Sequence, residues 1–320
     1  MTESKWPGPK GLIPEPEANA ADANRYARGF LDSLLVEMRI VDAIEADLHT
    51  EILGRTYASP IMMPAFSHLN KVGRDGRTPM QEYALAAKKL NVLNWVGMEP
   101  DEEFKAIMDV NPDSVRIIKP FADHERIYAE IAFARDCGAR AVGIDIDHVF
   151  GHDGNYDIVD GIPLGPVTQE DLAAYVRYAD MPFIAKGVLS VQDAVKCHDA
   201  GCAGLFVSHH HGRIPFGMAP AAMIRPIRKE LGEDILLFCD CSIDTGYDAY
   251  KALALGADAV SVGRGILRPL LNEGAEGVMK KVTKMNQELK ELMGYTGIPD
   301  TASFDPSVLY SGGRRFLDEQ

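Results

Sequence analysis

Leu205-Phe206-Val207-Ser208-His209-His210-His211-Gly212-Arg213 is the stretch from which the fold of this chain is read. A short apolar run passes without a break into three histidines, a glycine and an arginine. Such a run is expected to be a buried parallel strand, and α/β barrels and open α/β sheets place their chemistry at the carboxyl ends of these strands. A histidine there exchanges a proton near neutral pH. The arginine three residues beyond His210 can clamp a carboxylate or phosphate with its planar fork. A base and an anion clamp on one loop point to an enzyme for a small anionic substrate, and the place after a core strand favours that over a merely histidine-rich surface loop.

Outward from this stretch the same kind of run recurs. Residues 60–66, 92–96, 115–121, 141–147, 182–187, 235–240 and 257–263 bring the strands to eight. Between them lie segments of helical character, among them 80–90, 124–137 and 191–200, and residues 273–293 form a long closing helix. Eight strands with intervening helices predict a single (β/α)8 TIM barrel, and 320 residues suit one such domain with extensions. Residues 1–36 divide into an arm rich in proline and acids (1–19) and a helix (20–36). Residues 37–320 are expected to be the barrel with its C-terminal helix and tail. The polar, glycine-rich segment 148–168 is long for a strand-to-helix connection and is expected to act as a lid.

A net charge of −14 argues against nucleic acid or an anionic membrane as partner. No apolar run approaches the roughly 18 residues that span a bilayer, and the first residues do not resemble a secretory leader. The five cysteines, Cys137, Cys197, Cys202, Cys239 and Cys241, are odd in number and read as free thiols of a cytoplasmic protein. Cys239 and Cys241 are expected to be inert.

Other strand ends add candidates. Gly263-Arg264-Gly265 closes the eighth strand and opens a helix, so backbone N–H groups and a guanidinium meet where this fold binds phosphate. Asp145 and Asp147 alternate on the fourth strand and face one side, the barrel mouth. Carboxylates there must be paired or bind something, and an ion pair with Lys119 or Lys186 is the structural alternative. If the strand geometry continues, His209 and His211 point away from His210. Asp145, Asp147, His148, His209, His210 and His211 would also suit a divalent cation, which keeps open a metal-dependent lyase or isomerase. A degenerate barrel serving as a binding or scaffold subunit is the third reading, against which the base, aspartate and arginine weigh.

Together these stretches resemble the FMN-dependent α-hydroxy acid oxidases and dehydrogenases, the glycolate oxidase and lactate oxidase type. That family reads approximately I-L-K-G on strand five, S-N-H-G-G-R after strand six, D-G-G-I-R-x-G after strand seven and G-R after strand eight. The counterparts here are Ile184-Ala185-Lys186-Gly187, Ser208 to Arg213, Asp240-Cys241-Ser242-Ile243-Asp244-Thr245-Gly246 and Gly263-Arg264. The resemblance implies FMN and oxidation of a small 2-hydroxy acid or related carboxylate. It also implies a homo-oligomer, by family habit a tetramer. His210 would take the substrate proton, Asp147 would pair with it and raise its basicity, and Arg213 would bind the substrate carboxylate. Lys186 would stand beside the flavin, where a cation favours the reduced form. Asp240, Gly263 and Arg264 would bind its ribityl and phosphate parts, with Asn94 and Ala65 as further contacts.

Several positions depart from the family. Lys119 and Ile117 stand in place of a tyrosine and a glutamine, and Asp145 in place of a threonine. Cys241 and Ser242 replace two glycines, and Asp244 replaces an arginine. Lys119 and Asp145 are therefore assigned to the substrate pocket. If they pair, the pocket stays near neutral; if not, Lys119 can take a second anionic group. Glycolate and lactate are expected to be poor substrates beside a bulkier hydroxy acid.

Overall fold

The computed structural model describes residues 20–69 and 75–316, so the arm expected over 1–19 lies outside the described residues. Eight parallel strands form its centre: β1 (Ile61–Met62), β2 (Asn94–Val96), β3 (Ser114–Ile118), β4 (Ala141–Asp145), β5 (Phe183–Val188), β6 (Gly204–Val207), β7 (Leu236–Cys239) and β8 (Ala259–Ser261). They pair in the order β1-β8-β7-β6-β5-β4-β3-β2. Met63 N donates to Leu93 O (3.0 Å) and Gly97 N to Phe66 O (2.7 Å), which joins β1 to β2. The sheet therefore closes into the (β/α)8 barrel.

Alternation along each strand sorts side chains into two layers. Met62, Leu93, Trp95, Val115, Ile117, Ile184, Phe206 and Phe238 fill the barrel itself. Trp95 meets Phe206 and Phe238 edge-on, with centroids 5.1 and 5.3 Å away. These three rings plug the lumen, so any ligand must enter from the carboxyl end. Apolar side chains of the opposite parity, such as Val142, Ile144, Leu205 and Val207, pack under the helices.

The helices are α1 (Ala23–Ser33), α2 (Pro79–Leu90), α3 (Asp101–Val110), α4 (His124–Asp136), α5 (Gln169–Ala179), α6 (Val191–Asp199), α7 (Pro220–Leu231), α8 (Gly246–Ala254), α9 (Leu267–Glu273) and α10 (Ala275–Thr296). Thr78, Thr168 and Thr245 begin α2, α5 and α8 with reciprocal capping boxes, which satisfy otherwise orphaned N–H groups. Gly246 lets α8 press against α10, because a Cβ there would lie 2.0 Å from Met285 O. The helix expected over 20–36 stops at Ser33. Leu34–Val36 leaves as an extended strand and pairs antiparallel with Leu309–Ser311, trading the last helical turn for a ladder to the C-terminal tail.

α1 lies across the barrel mouth. Asn24 Nδ2 donates to His211 O (3.3 Å), and Phe216 N donates to Ala21 O (2.9 Å). Arg28 reaches Ser242 O (3.1 Å) and Asp248 Oδ1 (2.7 Å). The helix thus braces the loops after β6 and β7, the two that carry most of the candidate residues. No helix among the described residues is long and apolar enough to cross a membrane.

Candidate active site

β6 ends at Val207, and the chain then turns back on itself. Ser208 Oγ accepts from His210 N (3.0 Å), and His209 Nδ1 accepts from Gly212 N (2.9 Å). His210, His211 and Gly212 all adopt left-handed backbone, with φ of 46°, 60° and 86°. Strand alternation therefore stops before the histidines, which corrects the expectation that His209 and His211 point oppositely to His210. Instead, all three line one cavity. His209 is buried by its own turn, while His211 sits near Asp22 and Arg264. Burial and the Arg264 charge lower the pKa of His211 to about 4, so its ring is neutral at pH 7.

Two carboxylates rise from the end of β4. Asp145 Oδ2 accepts from Lys119 Nζ (2.7 Å) and Oδ1 from Lys186 Nζ (3.0 Å). The structural alternative, an ion pair, is thus present with both lysines at once. Burial opposes the charge of Asp145, yet Lys119, Lys186 and His210 outweigh it and hold the carboxyl well below its usual range. Asp147 Oδ1 lies 3.2 Å from His210 Nδ1. As an ionised acceptor it selects the tautomer with a proton on Nδ1, leaving Nε2 for a substrate proton. Burial again works against the charge, and His210 followed by Lys186 keeps the Asp147 pKa low. The carboxylate rests directly on Gly187, where a Cβ would come within 2.3 Å of Asp147 Cγ.

The lid segment closes the other side. Phe150 pairs with Tyr156 by a single bridge, and Ile158–Val159 pairs with Ile162–Pro163 as a short hairpin. Arg213 Nη1 donates to Phe150 O (3.1 Å) and lies 3.7 Å from Asp157 Oδ2. Asp157 also accepts from His148 Nε2 (2.8 Å). Burial, with Lys119 and Arg213 nearby, pushes the His148 pKa down to about 4, so the hydrogen bond is made by a neutral ring. Neither Asp157 nor Arg28 was singled out from sequence. Each reaches a partner more than 50 residues away, Asp157 toward Arg213 and Arg28 toward Ser242 and Asp248, and local spacing carries no signal for such contacts.

These elements enclose a cavity of about 760 Å³. Lys119, Asp147, Arg213 and the three histidines after β6 are among its polar lining, while Met98, Phe150, Val159, Leu189, Ile214 and Pro215 supply apolar walls. Asp147 Oδ2, Arg213 Nε and His209 Nε2 are buried without a hydrogen-bond partner among the described residues. Buried polar atoms are seldom left unpaired, so these three are free to meet a polar ligand.

The candidate phosphate corner lies beyond. Gly263 precedes the helical turn Arg264–Ile266, and the space where its Cβ would stand is open. Burial lowers the Arg264 pKa against the opposing pull of Asp244, Cys241 and Asp22. Cys241 and Ser242 keep left-handed backbone, φ 66° and 65°, without being glycine. The Cys241 thiol donates to Asp240 Oδ1 (2.9 Å), and burial together with Asp240 raises its pKa well above normal. It is held as a thiol, in line with an inert role.

The expectation for Asn94 is corrected. Trp95 takes the inward position on β2, and the Asn94 amide faces the other way, donating to Ser114 Oγ (2.8 Å). Ala65 packs against the inner layer at the mouth. The metal reading also weakens. Asp145, Asp147 and His210 do bring ligand atoms within 4.8 Å of one another, but two ammonium groups already occupy Asp145. His148 Nε2 is committed to Asp157 and His209 Nδ1 to Gly212. A dication would have to sit beside both lysines.

Comparison with known proteins gives one consistent answer. Residues 16–168 and 164–311 match the FMN-dependent dehydrogenase family. The L-lactate oxidase of Roseobacter sp. (strain GAI101) is 27% identical over 294 residues, covering 81% of this chain and 79% of that protein. The 4-hydroxymandelate oxidase of Amycolatopsis orientalis is 36% identical over 133 residues, 41% of this chain and 37% of that one. Among solved structures, a crystal structure of mandelate oxidase superposes with a TM-score of 0.81 at 23% identity, covering 92% of this chain and 90% of the other.

Proposed function

Because this chain belongs to the FMN-dependent dehydrogenase family, we propose that it oxidises a 2-hydroxy acid bearing a bulky apolar group to the 2-oxo acid. Relatives that act on lactate and other 2-hydroxy acids support the substrate class. The observation that carries the assignment is the His210–Asp147 pair standing beside Arg213 at the mouth of a plugged barrel.

The residues present fit FMN. Lys186 is buried at the mouth, polar atoms of Asp147, His209 and Arg213 lack partners, and Arg264 with the open backbone at Gly263 suits a phosphate. Lys186, Asp240, Gly263, Arg264 and Ala65 would hold the cofactor. When bound, FMN supplies the acceptor for the two electrons and one proton of a hydride equivalent. The substrate loses its C2–H and O–H hydrogens as the C=O bond forms, and His210 Nε2 takes the second proton. Asp147 stabilises the imidazolium that results, as in a triad. Arg213 pairs with the substrate carboxylate and fixes C2 relative to the base.

The paired state of Lys119 and Asp145 favours the near-neutral pocket over one for a dianionic acid. The apolar walls, among them Phe150 and Ile214, favour bulk. The remaining features of the proposal are a homo-oligomer (a tetramer by family resemblance), a cytoplasmic setting, and the division into residues 1–36 and 37–320. Five free cysteines are consistent with a reducing compartment.

A panel of 2-hydroxy acids tested by anaerobic bleaching of the bound flavin checks the assignment. Aromatic or long-chain members are expected to bleach faster than glycolate or lactate. Fast bleaching by lactate would remove the bulk requirement. No bleaching by any member would sink the 2-hydroxy acid assignment.

A further inference from the structure

Three neighbouring strands carry an ion-pair chain that the proton transfer leaves unused. Lys119 follows β3, Asp145 ends β4, and Lys186 lies on β5. Lys186 and Asp145 are directly opposite in the β4–β5 register, which pins their separation. Asp145 is only 3% exposed and Lys186 5%, and Asp145 Oδ1 is also 3.7 Å from His210 Nδ1. The chain therefore lies within one side chain of the base, and so within reach of whatever accepts the electrons. Charges this buried are poorly screened and act strongly over a few ångströms. Asp147 and Asp240 bear on Lys186 as well.

We propose that Asp145 sets the reduction potential of the bound FMN by offsetting one of the two charges carried by Lys119 and Lys186. This rests on the assignment above, that FMN binds at the mouth beside Lys186. Reduction adds negative charge to the cofactor. An uncompensated ammonium group favours that charge and a fixed carboxylate opposes it. With Asp145 between the lysines, their joint pull is reduced by one full charge, and the cofactor is held at a lower potential than two free lysines would give. Lys119 works in the opposite sense, since it draws Asp145 toward itself and partly frees Lys186.

The test uses the full-length protein loaded with FMN, comparing the parent with D145N and K119M by spectroelectrochemical titration. D145N is expected to move the two-electron reduction equilibrium at least tenfold toward the reduced form, each tenfold being about 30 mV. K119M is expected to move it in the opposite direction. A purely structural ion pair would lower stability in both variants without this split in sign. Both variants within threefold of the parent, or shifts in one direction, would overturn the proposal. If D145N does not fold, K119M decides alone: a fall in potential supports the proposal and no fall defeats it. Failure of the flavin assignment itself is separately visible, because the parent would then show no saturable binding of FMN.

Discussion

His210 owes its position to three consecutive residues in left-handed backbone, a conformation costly for side-chain-bearing residues and concentrated at functional sites. Replacing it with alanine is expected to slow substrate-dependent flavin reduction about 100- to 10,000-fold, read by stopped flow. Asp147→Asn should fall in the same range, while His209→Ala and His211→Ala leave a measurable rate. Essential His211 with dispensable His210 would reassign the base. Residue type and place at a strand end were enough to single out the histidine loop, Arg213 and the Asp145/Asp147 pair, while the choice of His210 among three histidines and the role of Lys186 came from the family resemblance. Asn94 could not be placed in advance, since a one-residue register difference exchanges inside for outside. Glu99 shows a different kind of residue effect. It follows β2, is 5% exposed and accepts from His68 N. Burial, with Glu103 adding to it, pushes its pKa up to about 7. A carboxyl whose folded pKa is raised contributes most below its unfolded value of about 4.3 and loses that contribution as pH climbs through 7. Glu99→Gln should therefore stabilise the protein by on the order of 1–2 kcal/mol at pH 8 and hardly at all at pH 4.5, as thermal melts at the two pH values would show. Equal melting shifts at both would contradict the buried-charge account.

At the scale of elements, the loop after β7 carries a conformational cost. Ser242 holds φ 65°, and its hydroxyl gains only a 3.5 Å contact with Asn24 O. Ser242→Gly is expected to raise stability by about 0.5–1 kcal/mol, the left-handed penalty less the added freedom of glycine in the unfolded chain. Denaturant titration checks this, and a loss of stability would show that the Asn24 contact outweighs the strain. All eight strands could be placed from their apolar runs, but most proved shorter than their runs. β1 keeps only two of the seven expected residues, since the run continues into backbone that spreads at the mouth. Helix 20–36 was overextended because Leu34, Leu35 and Val36 suit helix or strand, and only their distant partner Leu309–Ser311 decides between them. The lid hairpin within 148–168 gave no strand signal. Its paired segments are two residues long and owe their order to Asp157 and Arg213.

For the whole molecule, the pairing of Leu34–Val36 with Leu309–Ser311 ties together two segments that lie far apart in the sequence. On the ribosome, at about 5–20 residues per second, these partners emerge some tens of seconds apart. During that interval the eight strands and their helices can already assemble, while α1 lacks the ladder that anchors its far end. The bracing of the β6 and β7 loops by Asn24 and Arg28 therefore gains this anchor only once residues 309–311 have emerged. A nascent barrel would present an open mouth until then, and cofactor capture would wait on the synthesis of residues 309–311.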